Sequence, residues 1–291
     1  MTMTSEQRLK TSICPPTGGR GIDVDWVLEV DGAFTVVEFH LIESTRDQTA
    51  TANLKLPLLA RFSRDLKGTL LLVEYREDSR DTFTDLTIKR VELTHLSASD
   101  PAGALLTTVL STSGTFEEVR NFFQDLAGIR GRPAKSKPLF KVKNSTDRLS
   151  NSIFPTGAPL INIDWLFLTD EKWIAVEMLR CLSKRVVPHT SHPRRYWSRE
   201  ISPYSRRWNW QKFRSLFDVS TSIQGRLLLL NYMDSSGEGY EPFRLMEGSL
   251  ASVHRPSPSN VIVTTDIFRS ASLEDIQNYF DWLDTPDSLA G

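Results

Sequence analysis

At 291 residues the chain is long for one compact core and comfortable for two domains of ordinary size. Its hydrophobic fraction of 40%, charged fraction of 24% and formal net charge of -1 are those of a globular protein, and no apolar run approaches the roughly 18 to 20 residues that cross a bilayer. Two cysteines, Cys14 and Cys181, exclude a disulfide framework and a C-x-x-C zinc site, and the start, MTMTSEQRLK, lacks the apolar core of a secretory signal, so the expected location is the cytoplasm without membrane partners.

The first predicted element is a hairpin. Residues 22–30, IDVDWVLEV, and 34–41, FTVVEFHL, are rich in β-branched and aromatic residues and are separated around Asp31-Gly32, a dipeptide that favours a type I′ turn. In TANLKLPLLARFSRDLKG, the apolar positions 56, 58, 59, 62 and 66 fit a helix, with Pro57 expected near its first turn. TLLLVEY reads as a strand covered on both faces, and further strands are expected near 84–95 and 104–111. A closing helix over 115–126 follows, with Thr115 and Glu118 as a capping box.

The same order then returns. RLKTSICPPTG (8–18) matches RLSNSIFPTG (148–157), IDVDW (22–26) matches INIDW (161–165), KGTLLLVEY (67–75) matches QGRLLLLNY (224–232), and TFEEVRNFFQDL (115–126) matches SLEDIQNYFDWL (272–283). Two copies point to a pseudo-dimer of tandem modules and not to a solenoid. The expected division is a module over 1–128, a basic linker over 129–152, and a second module over 153–291 with an insert at about 181–210. Charge is distributed unevenly along this plan. Residues 129–152 carry 7 basic and 1 acidic side chains and residues 153–215 carry 11 and 5, while residues 1–128 and 216–291 are net acidic. A basic centre is compatible with a bound polyanion, since clustered Lys and Arg displace the counterions condensed on phosphates.

A two-residue turn at Asp31-Gly32 places Asp25 directly opposite Glu38, and a turn at Asp170-Glu171 places Asp164 opposite Glu177. Directly opposed residues have Cβ atoms roughly 4.5 to 5.5 Å apart, where two like charges are unfavourable without something cationic nearby. Mg²⁺ or Mn²⁺ would serve, because such ions take one or two carboxylates with waters and a substrate phosphate. Strand alternation puts Asp23, Asp25, Glu38 and His40 on one side. A solvated acidic pair copied passively would read the same way, but the apolar flanks of Glu38 indicate a covered strand, where unpaired charge is expensive.

The succession of strand with Asp, strand with Glu, helix and apolar strand resembles the PD-(D/E)XK, or restriction-endonuclease-like, nuclease superfamily over residues 22–75 and again over 161–232. The resemblance implies an α/β fold in which each module is a mixed β-sheet flanked by helices. It implies a metal-dependent nuclease acting on phosphodiester bonds, with Mg or Mn held by Asp25 and Glu38 and by Asp164 and Glu177. Where the family has acidic-x-Lys, this chain has His40 after EF and Leu179 after EM. Some members take the lysine from a neighbouring element, and Lys55 and Lys212 enter the next helix at matching positions. The implied sites are therefore Asp25, Glu38 and Lys55 with His40, and Asp164, Glu177 and Lys212. His40 also reads as an ordinary polar strand residue, and Lys55 as a solvated helix-end lysine.

The second copy's insert, RRYWSREISPYSRRWNWQKFR, interleaves Arg194, Arg195, Arg199, Arg206 and Arg207 with Tyr196, Trp197, Trp208 and Trp210. Such a segment offers phosphate contacts and flat rings for stacking on bases, which points to nucleic acid, DNA in preference to RNA. The competing reading places the tryptophans in the core. A catalytically degenerate nuclease-fold protein that binds nucleic acid, or a scaffold with protein partners or further self-assembly, is the alternative to an active nuclease.

Overall fold

The computed structural model describes residues 5–13, 21–42, 49–79, 82–97, 100–112, 115–128, 145–154, 160–169, 172–180, 206–234, 245–254 and 263–283. The chain divides into two compact units. One, the central unit, is Val24–Asn162; the other, the split unit, combines Met1–Asp23 with Ile163–Gly291. These limits differ from the expected 1–128, 129–152 and 153–291, because a short helix changes place in each case.

In the central unit, β1 (Gly21–Val30, counted here from Val24), β2 (Ala33–Leu41), β3 (Thr69–Ser79), β4 (Thr82–Ser97) and β5 (Asp100–Thr112) form neighbouring strands in that order. The hairpin β1–β2 is antiparallel with Trp26 opposite Val37 and Val30 opposite Ala33, as the predicted turn requires. Asp31 and Gly32 have φ of 51° and 78°, the left-handed values that a type I′ turn needs at both central positions. Strands β2 and β3 are parallel, β3–β4 and β4–β5 antiparallel, so the sheet is mixed.

A parallel neighbour needs a crossover, and helix α2 (Thr49–Asp65) supplies it between β2 and β3. Its buried Leu59, Phe62 and Ser63, with Leu66 just past its end, recur at helical spacing and cover one face of the sheet. Pro57 lies in the interior of this helix and not near its first turn, so one intrahelical N–H bond is forgone while the buried stripe that follows holds the helix to the sheet. The other face carries Val37, Phe39, Leu71, Val73, Tyr75, Leu86 and Ile88. It is covered by α3 (Phe116–Leu126), through Val119 and Phe123, and by α4 (Ser145–Ile153), through Leu149, Ile153 and the following Phe154. Phe123 and Phe154 meet edge to face with ring centroids 5.0 Å apart. Residues 145–152, expected in the linker, thus belong to a core helix.

The split unit has the corresponding parts. Strands β6 (Leu160–Leu168, counted here from Ile163), β7 (Trp173–Arg180), β8 (Arg226–Asp234), β9 (Leu245–His254) and β10 (Val263–Ala271) are neighbours in that order, antiparallel except for the parallel pair β7–β8. Trp165 faces Val176, the register expected from sequence, although residues 170 and 171 of the turn lie outside the described residues. Helix α5 (Arg206–Ser222) is the crossover and α6 (Leu273–Leu283) closes the unit. The second cover helix is α1 (Ser5–Ile13), whose Leu9 and Ile13 join Trp165, Phe167, Ile276 and Phe280 in one core. Gln277 Nε2 donates to the Ser12 carbonyl at 2.5 Å, tying α6 to α1.

The expected capping box at Thr115 and Glu118 does not form: Thr115 takes the extended N-cap backbone of α3 but makes no side-chain cap hydrogen bond. The device occurs instead on α6. The Ser272 backbone N–H donates to Asp275 Oδ2 at 2.8 Å and the Asp275 N–H donates to Ser272 Oγ at 3.1 Å.

Candidate functional site

The β1–β2 ladder ends at Trp26–Val37, and Asp25 and Glu38 are the residues that follow that last pair on the two strands. The structure neutralises this acidic pair in two ways. Asp25 Oδ2 accepts a hydrogen bond from the Phe39 backbone N–H at 2.9 Å. Glu38, only 7% exposed, forms an ion pair through Oε1 with the Lys55 ammonium. Lys55 sits in α2, on a turn of helix N-terminal to the buried Leu59, so the stripe that docks the helix also delivers the lysine. A lysine from the neighbouring helix therefore stands beside the glutamate.

Two residues beyond Glu38, His40 lies half-buried beside Glu74 in the parallel β2–β3 register. Glu74 in turn pairs with Lys89 of β4, Nζ to Oε2 2.6 Å. Lys89 stands opposite Leu72, which is itself opposite Glu38. One sheet face thus presents Glu38, His40, Glu74 and Lys89, with Lys55 reaching it from α2 and Asp25 at the end of the β1–β2 ladder. Sequence reasoning missed Glu74 and Lys89. A glutamate inside the apolar run TLLLVEY was a signal for the first, whereas Lys89 is identifiable only once β4 is paired with β3.

In the split unit Asp164 Oδ2 accepts from the Met178 backbone N–H at 2.8 Å, the counterpart of the Asp25 bond. Glu177 is 3% exposed and stands opposite Leu229. Lys212 falls in α5 at the position that Lys55 holds in α2, four residues before a buried leucine in each case; its side chain lies outside the described residues. The remaining positions differ in chemistry. Leu179 is in place of His40, Asn231 in place of Glu74, and Ala251, opposite Leu229, in place of Lys89.

Arg206, Arg207, Trp208 and Trp210 belong to the first two turns of α5, with side chains outside the described residues. Arg194, Arg195, Tyr196, Trp197 and Arg199 lie wholly outside them. Among the described residues no group of three or more His, Cys, Asp and Glu is arranged to hold a metal ion. Asp25 and Glu38 offer two carboxylates, a donor set that suits Mg²⁺ or Mn²⁺ when waters and a phosphate complete the shell. Among the described residues no helix is long and apolar enough to cross a membrane. No protein-family model, curated protein or solved structure matches the chain.

Proposed function

We propose that the protein is a metal-dependent nuclease of the restriction-endonuclease-like kind, built from two tandem modules of common origin, with its working site at Asp25, Glu38 and Lys55. The observation that carries this reading is the Lys55–Glu38 ion pair on the hairpin in which Asp25 holds the Phe39 N–H, the residue next to Glu38. An ammonium, a glutamate and an aspartate on one hairpin and its crossover helix are the groups phosphodiester hydrolysis needs, and they come from three separate elements. Mg²⁺ or Mn²⁺ held by Asp25 and Glu38 would polarise the scissile phosphate and lower the pKa of a bound water. Asp25 is fixed for that task by the Phe39 N–H, which sets the carboxylate's orientation before any ligand arrives. Lys55 orients the attacking water or stabilises the charge that gathers on the phosphate in the transition state. His40 stands beside these groups on β2 and is available for hydrogen bonding to the substrate.

The split unit serves in this reading as a nucleic-acid-binding module, favoured by the more closed environment of Asp164 and Glu177 and by Leu179 in the position of His40. The arginine and aromatic residues from Arg194 to Trp210 supply its contacts, with DNA as the expected partner. Fold alone does not establish chemistry, so the test is direct. Purified protein is incubated with single-stranded, duplex and branched DNA and with RNA in Mg²⁺ or Mn²⁺. Cleavage abolished by Asp25→Asn, Glu38→Gln or Lys55→Met supports the proposal. Absence of cleavage, or cleavage indifferent to these changes, overturns it, and salt-sensitive binding without cleavage establishes the binding role instead.

A further inference from the structure

The sheet face that carries Glu38, paired with Lys55 of α2, repeats the same chemistry one and two strands away, in the pair of Glu74 on β3 and Lys89 on β4. Resting on the nuclease reading, we propose that Lys89 is a substrate-contacting residue of that site, binding a nucleic-acid phosphate next to the one under attack, with Glu74 as its positioning residue. Lys89 and Glu38 are on one face because Glu38 is beside Leu72 and Leu72 beside Lys89. Two strand spacings separate their backbones, roughly 10 Å, a separation that suits neighbouring phosphates of one strand.

Three features single out Lys89. Its side chain is 26% exposed, so it reaches solvent while held in place, unlike the freely rotating lysines of a solvated surface. The ammonium has three donors and the Glu74 bond uses one, which leaves donors for a phosphate oxygen. The split unit lacks the pair altogether, with Ala251 and Asn231 at the two positions, and Asn231 is 1% exposed. The face is thus charged and partly open in the central unit and closed and neutral at the matching positions of the split unit. A pair with only a fold-stabilising role would have no reason to coincide with the unit that also holds His40, where the split unit has Leu179.

The test uses the full chain and a fluorescein-labelled single-stranded DNA. Binding is followed by anisotropy over a series of salt concentrations in Ca²⁺, which takes the same oxygen ligands, and cleavage is measured in Mg²⁺ or Mn²⁺. Lys89→Gln removes the charge but keeps a donor to Glu74, whereas Lys89→Met would leave Glu74 without its partner. The expected result is weaker binding, a plot of log affinity against log salt shallower by about 0.7 for one lost single-strand phosphate contact, and at least a ten-fold lower kcat/KM. Lys89→Arg restores the slope. An unchanged slope and unchanged cleavage in Lys89→Gln overturn the assignment alone, as does a lowered Tm with no change in slope. A wild-type chain that neither binds nor cleaves the DNA overturns the nuclease reading and this assignment with it.

Discussion

The Asp25 carboxylate accepts a hydrogen bond from the backbone N–H of Phe39, at 2.9 Å, and Asp164 accepts the corresponding bond from Met178, at 2.8 Å. In both units an aspartate on the first hairpin strand fixes the backbone just after a buried glutamate, fourteen residues on. Removing the acceptor leaves a covered N–H without its charged partner. Asp25→Ala and Asp164→Ala are expected to lower stability by about 1–3 kcal/mol each, while Asp25→Asn, which keeps an acceptor oxygen, costs less. Urea unfolding of the three variants checks this. A result in which Asp25→Ala unfolds like wild type would mean that the carboxylate does not hold the strand. Under the nuclease reading Asp25→Asn also separates the two roles, losing cleavage while keeping most of the stability.

What could be read from sequence follows from how local the determinants are. The hairpins were legible because Asp31-Gly32 dictates a two-residue turn, and the turn dictates that Trp26 meets Val37. Lys55 was legible because Leu59, Phe62 and Leu66 recur at helical spacing and carry the lysine round to the sheet. Helices α1 and α4 were not legible. Their nine-residue sequences, SEQRLKTSI and STDRLSNSI, are polar and too short to be stable alone, and they form because Leu9 with Ile13, and Leu149 with Ile153, are buried in cores made by distant strands. Lys89 was hidden for a related reason. Its pairing depends on the β3–β4 register, which shifts between Glu74 and Arg76.

Gly68 and Gly225 end the two crossover helices in the same way. Each N–H reaches back to a buried serine carbonyl, Ser63 or Ser220, at 2.8 Å, after a residue with positive φ, Lys67 or Gln224. A Cβ at either glycine would stand 2.5 Å from a backbone oxygen, that of Phe34 or Trp173. Neither strand backbone can retreat without breaking its ladder. Gly68→Ala and Gly225→Ala are therefore expected to destabilise by similar amounts, about 1–3 kcal/mol, measured by thermal unfolding. A neutral effect at one site and a large one at the other would show that the two helix ends are not equivalent.

Asp275 has its pKa held below the ordinary aspartate value, first by the Ser272 hydroxyl and then by the Ser272 backbone N–H, with burial opposing weakly. A depressed folded pKa means that the unfolded chain takes up the proton first as pH falls. The contribution is fully present above the unfolded value of about 3.9 and is lost as pH drops through the lower folded value. Ser272→Ala removes the leading cause. Acid titration of Asp275 by NMR should show its pKa moving up in that variant, and protection of the first turn of α6 should become less dependent on pH below about 4. No movement of the pKa would show that the hydroxyl is not its partner in solution.

The cover helices supply the most discriminating measurement, because the helix that precedes β1 in the chain stabilises the split unit and the helix that precedes β6 stabilises the central one. Leu9 and Leu149 are both fully buried, at 0% exposure, in the two different cores. Truncation of either removes its transfer free energy and leaves a cavity, so Leu9→Ala and Leu149→Ala are each expected to cost about 2–5 kcal/mol. Hydrogen exchange distinguishes where that cost falls. Leu9→Ala should deprotect β7, β8 and α6, more than 150 residues away in sequence, and leave β2 and β3 protected, whereas Leu149→Ala should do the reverse. If Leu9→Ala instead loosened β2 and β3, each helix would be folding with the strands that follow it, and the split unit would have to be redrawn as a contiguous one.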